Sequence, residues 1–109
     1  MDAELREYAQ IFKALSDPNR LRIVKMLSGG ELCACVVLEG FQITQPTLSH
    51  HLKTLCDCQL VQGRKEGKWT YYSLNEETVR RLKGFLEDAT TAAENPDFQT
   101  IICREDCCE

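Results

Sequence analysis

The chain has 109 residues, 43% of them apolar and 28% charged, a balance that suits one small soluble domain. No stretch approaches the ~18 consecutive apolar residues of a membrane span. The opening "MDAELREYAQ" is charged and amphipathic, without a signal-peptide core, so the expected location is the cytoplasm and no membrane partner is expected. The net charge of −4 argues against a uniformly basic, nucleic-acid-coating surface, but the charge is uneven. Residues 75–109 hold nine acids and four bases, whereas residues 41–74 are net +2.

Leu5, Tyr8, Phe12 and Leu15 recur at helical spacing and predict a first helix that stops at "SDPNR". Asp17 is placed to cap a second helix over 18–28, with Pro18 in its first position and Leu21, Val24 and Leu27 facing inward. Gly29-Gly30 ends it. A third helix is expected over roughly 32–39, stopping near Gly40.

Thr44 is placed to cap a fourth helix and Pro46 fits its first turn. Leu48, Leu52 and Leu55 form its apolar stripe, while Gln45, Thr47, Ser49, His50 and Lys53 form a polar face. "LVQGRKEGKWTYYSL" reads as a two-stranded hairpin with Gly67 in the turn and Arg64, Lys65 and Lys68 at the tip. Asn75 caps the last helix, whose Val79, Leu82, Leu86, Ala89 and Ala93 make a narrow seam suited to a partner helix. Pro96 ends it. Residues 1–96 are thus expected to form one domain, followed by a Cys-rich tail, 97–109, expected to be mobile.

Two short helices, a tight connection and a polar-faced helix make a helix-turn-helix, and the basic hairpin makes it a winged one. The expected class is mostly α (α+β), in the order ααααββα. In such a fold the polar helix offers Gln45, Thr47, Ser49 and His50 to base edges in the major groove of double-stranded DNA. Lys53, Arg64, Lys65 and Lys68 would neutralise phosphates. So few bases per chain predict weak, salt-sensitive non-specific binding and a need for a dimer. No nucleophile–base constellation points to an enzyme.

"ALSDPNRLRIVKML", "TQPTLSHHLKTL" and "RKEGKWTYYSL" together resemble the ArsR/SmtB family of metal-responsive winged-helix repressors, over residues 8–74. The resemblance implies a homodimer through the first and last helices, an inverted-repeat operator, and repression until a metal arrives. It also implies that His51 packs against the turn while His50 points outward. Zinc-sensing members use His and acidic residues on the last helix. Residues 75–95 contain no His, so zinc is not expected there.

Seven cysteines, at 33, 35, 56, 58, 103, 107 and 108, are an odd count in a reducing compartment, which disfavours a disulfide framework. Cys56 reads as a small core residue. The arsenite-sensing branch of the family carries C-x-C-x-x-C on its third helix. Here "ELCAC" matches at Cys33 and Cys35, but the third position is Leu38. The resemblance therefore implies As(III) or Sb(III) as inducer, held by Cys33 and Cys35, with no organic cofactor. A third thiolate is expected from Cys107, Cys108 or Cys103, then from Cys58. Residues i and i+2 of a regular helix lie about 200° apart, so joint capture needs a loosened first turn after Gly29-Gly30. Two alternatives use the same fold: a thiol redox-sensing repressor, and a Cd or Pb sensor.

Overall fold

The computed structural model describes residues 2–91. The elements run α1 (Asp2–Ala14), α2 (Pro18–Leu27), β1 (Leu32–Cys33), α3 (Ala34–Glu39), α4 (Gln45–Asp57), β2 (Val61–Glu66), β3 (Trp69–Leu74) and α5 (Glu76–Thr90). One compact unit extends to Val79 and a second begins at Arg80, within α5. The order of helices and wing is the expected one, with a short strand added before α3.

The caps form where the side-chain chemistry demands them. Asp17 accepts from the Asn19 and Arg20 amides at 2.8 and 3.4 Å. Thr44 accepts from Thr47 at 3.4 Å, and Asn75 from Glu77 and Thr78 at 3.1 and 3.4 Å. Each satisfies amide groups that the first helical turn leaves without partners. At the other end of α4, Leu60 N–H donates to Leu55 O at 3.2 Å and Gln59 N–H to Cys56 O at 3.0 Å. This is a Schellman closure with Gln59, at φ 68°, in the left-handed position usually given to glycine.

The core of the first unit is built from Tyr8, Ile11 and Ala14 of α1, Ile23 and Leu27 of α2, and Val37 of α3. Leu48, Leu52 and Leu55 of α4 join them, with Leu60 and Val61 behind. The expected inward stripe of α2 needs correction. Leu21 is 52% exposed and Ile23 is fully buried, because Ile23 and Leu27, four apart, share the face that meets the core. On α1 the buried face is Tyr8, Ile11 and Ala14, and Leu5 and Phe12 stay exposed.

The sheet is antiparallel, in the order β1-β3-β2. The wing pairs Val61 with Leu74 through Glu66 with Trp69 and closes on a two-residue turn, Gly67-Lys68. Gly67 has φ 64°, the conformation a tight hairpin needs at its first turn position. On the other edge of β3, Leu32 lies opposite Tyr72 and Cys33 opposite Tyr71. The third helix therefore begins at Ala34 rather than near residue 32. The residues before it are recruited as a strand by the edge of the wing. The principal contacts of α3 are with β1 and β3, and those of α4 are with α2 and β2.

Candidate DNA interface and thiol pair

The helix-turn-helix presents α4 with one face in the core and the other in solvent. Gln45, Thr47, Ser49, His50 and Lys53 are all exposed. His51 is buried, and its Nδ1 accepts a hydrogen bond from Arg20 Nε at 3.1 Å. Arg20 also donates to the Ala14 carbonyl at 3.2 Å, so one guanidinium ties α2 to the end of α1 and to α4. His50 thus points outward and His51 inward, as the resemblance implies, and the partner observed for His51 is Arg20 of α2.

Two of the expected phosphate contacts already have acidic partners. Lys53 pairs with Asp57 one turn on, at 3.2 Å, with both groups well exposed; such pairs contribute little. Arg64 donates to both carboxylate oxygens of Glu31, at 2.8 and 3.1 Å, and to Glu66 at 3.1 Å, while lying over the Tyr71 ring. The hydrogen bonds from Arg64 hold the Glu31 carboxyl below its ordinary value, against the opposing effect of desolvation. Sequence reading saw Arg64 as a wing cation but missed Glu31, 33 residues away. Lys65 and Lys68 are exposed on the wing, with Lys68 above the Trp69 ring.

The cysteine pair sits where β1 meets α3. Cys33 is the N-cap residue of α3, with extended backbone (φ −69°, ψ 145°), and Cys35 follows in the first turn. The extended residue removes the expected obstacle of two side chains on opposite sides of a helix. The Cys35 thiol donates to Cys33 Sγ at 3.0 Å. That bond, then the Cys35 and Val36 amides at the start of the helix, lower the Cys33 pKa despite desolvation, although no full capping bond forms. Cys35 is raised, first by the bond it donates and then by desolvation. Two ~2.3 Å bonds at a tetrahedral angle set sulfurs about 3.8 Å apart. A sub-ångström opening therefore suffices for one soft ion to bridge this pair.

Among the described residues no group of three or more Cys, His, Asp or Glu is gathered that could hold a metal ion. Cys58 is directed elsewhere: its thiol donates to the Leu55 carbonyl at 3.3 Å and it borders a separate cleft with Lys13 and Arg20. Cys103, Cys107 and Cys108 lie outside the described residues, as does the whole of the expected tail, 97–109. Cys56 is half-buried, and burial pushes its thiol pKa up, in keeping with a packing role.

A cleft of about 350 Å³ joins these features. Cys33 and Cys35 form one wall, and Gln45 and Ser49 of α4 form another. Lys68, Trp69 and Tyr72 of the wing close it, and Leu38, Leu48 and Leu52 line its interior. The thiol pair and the polar groups of α4 and the wing therefore share one space.

A helix-turn-helix with an exposed polar second helix and a basic two-stranded wing defines a winged-helix DNA-binding protein. Residues 17–62 match the family model described as bacterial regulatory protein, arsR family. The arsenical resistance operon repressor of Staphylococcus xylosus is 57% identical over 87 residues, covering 80% of this chain and 84% of that protein. The cadmium resistance transcriptional regulatory protein CadC homolog of Staphylococcus aureus is 43% identical over 90 residues, covering 80% and 74%. A solved homodimeric winged helix-turn-helix DNA-binding domain from Mycobacterium bovis, of a possible ArsR-family regulator, superposes with a TM-score of 0.68. It is 31% identical and covers 81% of this chain and 82% of that one. The chain belongs to the ArsR family of DNA-binding transcriptional regulators.

Proposed function

We propose that this protein is a cytoplasmic repressor that binds an inverted-repeat operator as a homodimer and releases it when As(III) or Sb(III) is taken by Cys33 and Cys35. The observation that carries this reading is the 3.0 Å approach of the two thiols beside a cleft lined also by Gln45, Ser49 and Lys68. The similar protein of Staphylococcus xylosus is named an arsenical resistance operon repressor. Dimerisation through the first and last helices is supported by exposed apolar side chains on each, Leu5 at 45% on α1 and Leu86 at 43% on α5, and by the homodimeric neighbour.

Gln45, Thr47, Ser49 and His50 are assigned to base edges, and Lys53, Arg64, Lys65 and Lys68 to phosphates. The ion's contribution is to draw two thiolates onto one centre. Cys33 is a strand residue opposite Tyr71, and Cys35 is in the first turn of α3. Their joint movement strains the β1–β3 ladder and the start of α3 together, and the wing moves with β3. The route runs through β3 because α3 rests mainly on the wing sheet. Turning 99:1 operator occupancy into 1:99 needs about 5.5 kcal/mol of differential binding. A third thiolate from Cys103, Cys107 or Cys108 would complete the set for arsenite.

A cadmium- or lead-responsive variant is the second reading, supported for cadmium by the similarity to the CadC homolog. A redox-sensing repressor would close a Cys33–Cys35 bridge instead and would need an oxidant. Operator shifts under reductant with arsenite, antimonite, cadmium and lead separate these readings. Cys33→Ser should keep operator affinity and abolish release by arsenite. Release that survives this substitution would remove the proposed site.

A further inference from the structure

We propose that Arg22, held on the Phe41 ring at the turn of the helix-turn-helix, is a further DNA contact and takes a backbone phosphate just outside the bases that α4 reads. This rests on the reading that α4 enters the major groove, and it adds a residue that belongs neither to α4 nor to the wing.

The first support is place. Arg22 is on α2, and its guanidinium carbon lies 5.2 Å from the centroid of the Phe41 ring. Phe41 follows Gly40, the C-cap of α3, and Thr44 caps α4 shortly after. A recognition helix enters the groove with its N-terminal residues leading. The residues just before its cap are therefore carried to the sugar–phosphate strand at the groove's edge. Phe41 brings the Arg22 side chain, from an earlier helix, to that same edge.

The second support is the state of the guanidinium. Lys53 is engaged by Asp57, and Arg64 by Glu31 and Glu66. Among the described residues Arg22 has no acidic partner, and it is exposed. A cation over an aromatic face is held by the negative charge of that face. The five N–H donors of the guanidinium stay available to an oxyanion. Contact with the ring already restricts the side chain before DNA arrives, and the planar fork suits two phosphate oxygens.

The third support is what borders this cation. A cleft of about 460 Å³ is lined by Arg22 and Phe41 together with Asn19 and Gln42. Side-chain amides of this kind donate to phosphate oxygens. Glu39 is the acid on the rim. It is exposed and makes no ion pair with Arg22, so solvent and salt screen its repulsion of a phosphate. A phosphate contact here fixes the register of α4 in the groove and carries no base preference of its own.

The test uses the full-length chain, a duplex that it selects from a random-sequence pool, and a scrambled duplex of the same length. Arg22→Ala should weaken both duplexes by the same factor, about tenfold. It should also make the slope of log K against log salt shallower by about 0.9 for each bound chain. Phe41→Leu keeps the charge and removes the ring, so it should weaken binding only about threefold and leave the slope unchanged. Replacing the selected duplex's phosphates one at a time by neutral methylphosphonate identifies the partner. One position in each half-site should weaken the parent and leave Arg22→Ala unaffected. A folding defect would weaken every duplex evenly, so this position-specific difference decides. An unchanged salt slope in Arg22→Ala, or one methylphosphonate profile shared by parent and variant, overturns this inference alone. A chain with Gln45, Thr47, Ser49 and His50 all changed to Ala that still prefers the selected duplex overturns the reading of α4 beneath it.

Discussion

Arg64 and Glu31 are joined by two parallel hydrogen bonds, 2.8 and 3.1 Å long, across 33 residues of sequence. They link the wing to the residue immediately before the β1 strand that carries Cys33. Arg64 is also the wing cation best shaped for a phosphate, since its planar fork matches carboxylate and phosphate alike. In the proposed operator complex, Glu31 and a DNA phosphate would therefore compete for one guanidinium.

Glu31→Ala should release Arg64 to DNA. Operator affinity should rise, and the slope of log K against log salt should steepen by about 0.9, the value of one added phosphate contact. Titrations at several salt concentrations read this directly. An unchanged slope would mean that Arg64 does not reach a phosphate.

Gly63 lies opposite Tyr72 in the wing, and an added Cβ there would stand 3.0 Å from the Tyr72 ring. Replacing a strand glycine by alanine gains about 0.5–1 kcal/mol of backbone entropy, whereas overpacking costs about 1–3 kcal/mol. Gly63→Ala should therefore lose about 1 kcal/mol in urea unfolding. Because Tyr72 lines the thiol cleft, Trp69 emission should shift as well.

Gln59 holds the left-handed position after α4, which costs a non-glycine residue about 1–2 kcal/mol. Gln59→Gly relieves that strain at some cost in chain entropy, so a gain of about 0.5–1 kcal/mol is expected. Its side chain is exposed, and operator affinity should not change. The urea midpoint and one DNA titration check both halves.

Asp17 feels burial first, which pushes its pKa up. The Asn19 and Arg20 amides and the nearby His51 and Arg20 outweigh that, so it sits below its ordinary 3.8. A carboxylate lowered on folding stabilises above its unfolded pKa, and this contribution is lost as pH falls through the lower folded value. Asp17→Asn keeps a capping oxygen but cannot titrate. The variant should therefore show a shallower loss of stability below pH 4 than the parent, measured as urea midpoint against pH.

Much of the architecture was legible residue by residue because its causes are local. Asp17, Thr44 and Asn75 cap helices through their own side chains, Gly67 supplies a positive φ, and the Leu48, Leu52, Leu55 stripe follows from a 3.6-residue turn. The motifs that resemble the family are of the same kind. Leu21 was misplaced because spacing alone offers two adjacent apolar faces on a short helix. Only the packed core chooses Ile23.

What tertiary structure alone decided is the setting of the cysteines. A two-residue strand has no period to read; Leu32 and Cys33 become one because the free edge of β3 offers hydrogen bonds at that place. That pairing makes Cys33 an extended cap residue, brings its sulfur to Cys35, and lets Glu31 reach Arg64. It also encloses a cleft between the thiols and the polar residues of α4 and the wing. Contacts between segments far apart in the chain set all of this, and such contacts leave no trace in local composition or spacing.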